Sequence, residues 1–223
     1  MNREGLVLPG QVSVVVCADA AANWRNLCAA AASVRDQGPL PGEVIVAVDH
    51  NPDLAARCRW AFPGEVIVSN VGRRGPAATR NAGMEAATGA VVAFLDDDAV
   101  ARPGWLAALA AGYGHSRVLV VGGAVVSRWS ATGNAARSGA PESGPPWANM
   151  SLRRSVFLEV GGFSHGLVRA EAELGRRVLR RWPQAQFRVV PEAAVEVNRR
   201  PRGLRSVSPL GELGRLGGPV EVG

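Results

Sequence analysis

The chain has 223 residues, enough to bury a full core as one large domain or one domain with an appendage, and its 47% hydrophobic content excludes disorder throughout. Its formal net charge of +6 comes from 25 basic residues that are all arginine, against 19 acids, and it is uneven: residues 1–101 hold 8 Arg and 11 acids, residues 102–223 hold 17 Arg and 8 acids. A basic carboxyl half suits an anionic membrane surface or a diphosphate, but with no nucleic-acid module and no aromatics interleaved among the arginines, no nucleic-acid partner is expected.

Residues 12–18 (VSVVVCA) form a β-branched run that predicts a first buried strand. Leu27, Ala30, Ala31 and Val34 then recur at i, i+3, i+4 and i+7, which predicts a helix with one apolar face, ended by Gly38-Pro39. Residues 43–48 read as a second strand finishing on Asp49, residues 52–61 as a short helix and residues 65–69 as a third strand. This βαβαβ opening is the pattern of a doubly wound parallel sheet.

Residues 70–75 (NVGRRG) are a loop rich in Gly and Arg, followed by a helix over about 76–88 that Gly89 stops. Arg73, Arg74 and Arg80 cluster around its start. Guanidinium groups at a helix amino terminus suit a phosphate, although the same stretch also reads as a solvated basic loop. Arg80 is the stronger candidate, within the first turns and beside Asn81 and Gly83.

The chain is organised around residues 91–100 (VVAFLDDDAV), an apolar run that stops at Asp96, Asp97 and Asp98. Strand residues alternate sides, so Asp96 and Asp98 are expected to project together and Asp97 oppositely. Two converging carboxylates suit a hard cation such as Mg²⁺ or Mn²⁺ that would hold the phosphates of a nucleotide; a solvated acidic turn is the alternative. The carboxyl end of a parallel strand is where open α/β sheets bind ligands.

Arg102-Pro103-Gly104 turns the chain into a helix near 105–113, and residues 118–127 (VLVVGGAVVS) predict another buried strand. Its paired glycines suggest a bulge or a close approach by a ligand or another backbone. Residues 128–146 read as a flexible loop over the site, residues 147–150 as a lead into a helix at 153–160 capped by Gly161-Gly162, and residues 170–181 as a final helix. A short strand is expected at 187–190. Cys17, Cys28 and Cys58 lack metal-ligand spacing and look like core residues of a reducing compartment. With neither a secretory signal nor a run long enough to span a bilayer, the expected location is cytoplasmic, with the inner membrane face allowed by the basic half.

Several segments, in order, resemble the family-two inverting glycosyltransferases of the nucleotide-diphospho-sugar transferase (GT-A) superfamily. They are VSVVV with SVRDQ, EVIVAVD, GPAATRNAGMEAATGAVVAFLDDDAVARPGWL, and NMSLRRSVFLEVGGF, covering about residues 11–195. The resemblance implies a three-layer α/β domain over 1–198 with a mostly parallel central sheet. Residues 11–100 would be its nucleotide-binding half and 101–198 its acceptor half, with a flexible Gly/Pro/Arg-rich tail at 199–223. It implies metal-assisted transfer of one sugar, with inversion, from a nucleotide-diphosphate sugar to the hydroxyl of a lipid-linked, protein or small-metabolite acceptor. By the same match Asp49 would contact the nucleobase, Arg80 the nucleotide, Asp96 the ribose or metal and Asp98 the metal. Glu171 falls on the family's base position, and Glu173 on the acid two further along.

The chain is a short and divergent case. The first acid of the base pair is replaced by Ala170, and a late histidine that many relatives use near metal or diphosphate is replaced at Val197. His165 could substitute in space. The QxxRW pattern of processive synthases is absent, which favours single transfer. The rival reading is a catalytically impaired relative that binds a nucleotide or a partner. A sugar-nucleotide-forming enzyme would need a Gly-rich phosphate loop after the first strand, and CADAAANW lacks one.

Overall fold

A computed structural model describes residues 5–19, 22–127, 149–167 and 170–197. The expected loop at 128–146 and the tail from 199 lie outside the described residues. The elements run β1 (Val12–Ala18), α1 (Trp24–Arg35), β2 (Glu43–Asp49), α2 (Pro52–Ala61), β3 (Val66–Asn70), α3 (Pro76–Ala86), β4 (Val91–Asp96), β5 (Ala99–Ala101) and α4 (Trp105–Gly112). They continue with β6 (Val118–Ser127), β7 (Asn149–Arg153), α5 (Arg154–Val160), α6 (Ala170–Arg181) and β8 (Gln186–Val197).

The strands join one sheet in the order β3-β2-β1-β4-β7-β6-β8-β5. From β3 to β4 every neighbour is parallel, as the βαβαβ opening predicts. Beyond β4 the sheet is mixed: β7 runs antiparallel to β4 and β6, β8 is parallel to β6, and β5 is antiparallel to β8. Strand alternation sends Val14 and Val16 of β1 to a core with α1, α2 and α4, and Val15 and Cys17 to a second core with α3, α5 and α6. Helices therefore cover both faces, giving the three layers expected. Cys17 and Cys58 are buried and Cys28 is half-buried. Among the described residues no helix is long and apolar enough to cross a membrane.

Local chemistry sets the helix ends. Asn23 caps α1, its Oδ1 accepting from the amides of Arg25 (3.0 Å) and Asn26 (3.3 Å), and Asn51 caps α2 at the Leu54 amide (2.9 Å) ahead of Pro52. The third helix stops at Ala86, short of the expected Thr88. The Thr88 amide and hydroxyl both donate to Glu43 Oε1, at 2.6 and 2.7 Å, which holds that residue outside the helix.

Three strands depart from expectation. Residues 149–153 are a strand, not a lead into a helix: Met150 and Leu152 pack in the core, while Asn149 and Ser151 are fully buried on the other face. Buried polar side chains at alternate positions disguised the period. The Asn149 amide donates to the carbonyls of Ala124 (2.9 Å) and Ala193 (2.7 Å), and its Oδ1 accepts from Trp105 Nε1 at 2.8 Å. Ser151 Oγ lies 2.9 Å from the Tyr113 hydroxyl and donates to the Val121 carbonyl at 3.0 Å. The last strand is longer than the expected 187–190 because it passes through exposed Pro191 and Glu192 at a register shift opposite Gly123–Val125. The paired glycines answer to that shift, since a Cβ at Gly123 would collide with the Ala193 carbonyl. The short β5 was hidden behind the acidic run and depends on pairing Ala99–Ala101 with Val195–Val197.

Candidate active site

The parallel half of the sheet brings the ends of β1, β2 and β4 together along one edge. Cys17 pairs in register with Asp96, and Asp49 with Asn70. The fourth strand ends at Asp96; the Asp97 amide donates to the Cys17 carbonyl at 3.1 Å, which bends the chain into a turn through Asp98. Asp97 is buried and Asp96 and Asp98 are partly exposed; because the strand ends at Asp96 and residues 97 and 98 form a turn, strand alternation does not extend to them.

Arg80 is the centre of the arrangement. Lying in the second turn of α3 and buried, it donates from Nη2 to Asp96 Oδ1 at 3.1 Å and from Nη1 to Glu171 Oε1 at 3.2 Å. One guanidinium thus joins the strand-end carboxylate to the first turn of α6. Burial works against the Arg80 charge, but its pKa is nevertheless held above the ordinary value. Burial pushes the Cys17 thiol beside it up to about 12, so that group is neutral and the two carboxylates supply the compensation. Arg80 Nε is buried without a hydrogen-bond partner.

Asp49 makes a separate cluster. Its Oδ1 receives Asn70 Nδ2 at 2.7 Å and lies 2.7 Å from His50 Nδ1, while its Oδ2 accepts from the Gly75 amide at 3.0 Å. Burial alone would raise its pKa, but these hydrogen bonds outweigh it and hold the carboxyl below its usual range. His50, at φ 48°, also places Nε2 3.0 Å from the Gly72 carbonyl, and Asn70 bonds the carbonyl of Arg73 (2.7 Å) and the amide of Gly72 (3.1 Å). Asp49, His50 and Asn70 therefore fasten the NVGRRG loop. A carboxylate already meets the amide at the head of α3, where a phosphate was expected. Arg73 and Arg74 are exposed on that loop, and Arg80 turns away from them toward β4 and α6.

Glu173 lies two residues beyond Glu171. It accepts from Ser164 Oγ at 2.7 Å and from Arg177 at 2.8 and 2.9 Å, and these bonds, chiefly those from Arg177, hold its pKa below the usual range. Ala170 is buried. Val197 pairs with Ala99, next to Asp98, so β8 brings an apolar side chain alongside the acidic turn. His165 is exposed in the turn after Ser164. His50 and Asn70 went unnoticed in the sequence, where adjacency to Asp49 and the strand register opposite it were the available signals.

Among the described residues no group of three His, Cys, Asp or Glu side chains could hold a metal ion. The donor set at Asp96 and Asp98 does not fit a metal held by protein alone. Two carboxylates would suit Mg²⁺ or Mn²⁺ only where other oxygen ligands complete the coordination.

A three-layer α/β fold with carboxylates at the carboxyl ends of adjacent parallel strands places them where open α/β sheets bind ligands. The chain matches Glycosyl transferase family 2 over residues 13–172, and it belongs to that family. It is 32% identical over 181 residues to a glucosyl-dolichyl phosphate glucuronosyltransferase of Haloferax volcanii, covering 69% of this chain and 56% of that protein. The fold is shared, at TM-score 0.64 and 20% identity, with a mannosyltransferase from Pyrobaculum calidifontis solved with GDP-Man and Mn²⁺. That match covers 89% of this chain and 61% of the other. The chain thus spans little more than half the length of the proteins it matches.

Proposed function

We propose that the chain transfers one sugar, with inversion, from a nucleotide-diphosphate donor to an acceptor hydroxyl. The observation that carries this reading is the Arg80 bridge, which sets Asp96 and Glu171 on one guanidinium at 3.1 and 3.2 Å. A strand-end acid and a helical acid are thereby held on one guanidinium, the first assigned to the donor and the second to the acceptor. In this reading Asp49 and its fastened loop receive the nucleobase, Arg80 and Asp96 the nucleotide, and Asp96 and Asp98 hold Mg²⁺ or Mn²⁺. A metal held there would supply charge neutralisation for a departing diphosphate. Glu171 accepts the proton of the acceptor hydroxyl as that oxygen bonds to the sugar and the bond from the sugar to the diphosphate breaks.

The glucuronosyltransferase relative is named for a dolichyl phosphate substrate, and a lipid-linked acceptor is the acceptor class proposed here. Arg176 and Arg180, exposed on α6, suit peripheral contact with an anionic membrane from the cytoplasmic side, whereas Arg177 is engaged by Glu173. A second reading, a nucleotide-binding relative without turnover, is favoured by Ala170 and Val197 standing where the family carries an acid and a histidine.

A thermal-shift panel of sugar nucleotides with and without Mn²⁺, on the wild type and Asp98→Ala, tests the donor site. A ligand at 100 times its Kd adds about 2.7 kcal/mol, or about 5–10 °C for a chain of this size. The expected result is a metal-dependent shift with one nucleotide, lost in Asp98→Ala. No shift with any of them would overturn the proposal.

A further inference from the structure

Arg80 and its neighbour Asn81 sit at the two ends of one closed circuit of contacts. Arg80 reaches Glu171 on α6 at 3.2 Å. Further along the same helix, Arg177 bonds the carbonyls of Val160 and Gly162, and Glu173 accepts from Ser164 at 2.7 Å. Both fasten α6 to the Gly161-Gly162-Phe163 turn after α5. That turn is held in its own right by Asn81: its Nδ2 donates to the Phe163 carbonyl at 3.0 Å, and its Oδ1 accepts from the Phe163 amide at 2.9 Å.

The two-point grip has a steric requirement. Gly162 adopts φ +77°, and a Cβ there would lie 3.2 Å from Asn81 Oδ1 and 3.0 Å from the Phe157 ring. A side chain would press the turn away from α3. Phe163 itself is buried against Phe94 of β4, edge-on at a centroid distance of 5.6 Å, so the turn also rests on the strand that carries Asp96. The amide of Asn81 satisfies both backbone groups of one residue, which fixes the turn in distance and in rotation. A single apolar contact would do neither.

We infer that Asn81 is a positioning residue that sets the first turn of α6, and with it Glu171, against Asp96 through the Phe163 turn. The inference deepens the transferase reading and rests on it for the role of Glu171. Asn81 touches no reacting group. Its contribution is to the placement of the base, so its loss lowers turnover and leaves donor binding intact. A misplacement of about 1 Å costs about 10²-fold in rate.

The test uses the full chain with Asn81→Ala and Asn81→Asp. The aspartate keeps the shape and the acceptor for the Phe163 amide but removes the donor to its carbonyl. Amide hydrogen exchange and steady-state turnover are measured, the latter with whichever sugar nucleotide gives the metal-dependent shift and with water or hydroxyl acceptors. In Asn81→Ala, exchange over residues 161–164 and 170–177 rises by about tenfold while β1, β2 and β4 keep wild-type protection. Donor Kd stays within about twofold and kcat falls by about 10²-fold, with no recovery in Asn81→Asp, whose carboxylate oxygen opposes the Phe163 carbonyl. Unchanged exchange in 170–177, or a Kd that worsens in step with kcat, overturns the inference. If Asn81→Ala fails to fold, Asn81→Asp carries the same measurements. If the wild type binds no sugar nucleotide, the transferase reading fails by itself, and the exchange pattern still decides whether Asn81 sets α6.

Discussion

Strands β1, β2 and β4 keep their polar side chains near their ends, around long apolar runs, whereas β7 buries Asn149 and Ser151 at alternate positions within the sheet. All seven residues of β1 are buried. In the other half Asn149 and Ser151, both fully buried, bond Trp105, Tyr113 and the carbonyls of Ala124, Ala193 and Val121. The difference separates two ways of building a site. The parallel half places Asp49 and Asp96 by topology, at strand ends. The mixed half places Glu171 by side chains that grip backbone.

Arg80 spans the two halves, so its removal breaks the comparison most severely. Arg80→Met leaves Asp96 and Glu171 without their shared cation, at about 3 kcal/mol, the low end for a broken buried pair because both carboxylates are partly exposed. Chemical denaturation should show that loss, and turnover of the selected sugar nucleotide should fall by about 10²-fold. A stability equal to wild type would mean the bridge is not formed in solution.

Asn149→Ala acts within the mixed half alone. It strands the Trp105 N–H and two buried carbonyls, for about 2–3 kcal/mol. The denaturation midpoint should drop accordingly, while a nucleotide-induced thermal shift at the donor site proposed for the parallel half should persist. Loss of that shift as well would show the halves to be less separable than their bonding suggests.

Asp49 supplies the smallest and most selective effect. Its folded pKa is depressed, so its stabilisation is present above the unfolded value near 3.9 and lost as pH falls through the folded value. Asp49→Asn should therefore cost about 1 kcal/mol at pH 7. The gap from wild type should narrow as melting is followed downward from about pH 5 through the unfolded value near 3.9. A gap that is constant with pH would assign the loss to packing and not to charge.

The parallel half was legible because its strands are predominantly apolar runs and α1 and α2 follow Asn caps visible in sequence. The acidic turn and Arg80 stood out by local pattern, helped by the resemblance of the RNAG-to-DDD block, whereas the base-position glutamate was singled out by the family resemblance alone. The mixed half was less legible. Asn149 and Ser151 look like surface residues until their partners, 25 to 44 residues away, are known.

The amino-acid sequence alone determined the layer architecture, the order of the parallel strands' elements and the identity of the polar residues at their ends. Hydrophobic periodicity and capping are properties of neighbours along the chain, so they are visible there. Only the tertiary structure decided that Arg80 turns from the loop arginines to Asp96 and Glu171, that Asp49 is bound up with His50, Asn70 and Gly75, and that β7 and β8 are strands of that length. Apart from the neighbouring His50, each of these is a choice of partner across 16 or more residues or across a strand pair, made by which buried charge or hydrogen-bonding group would otherwise be left unsatisfied.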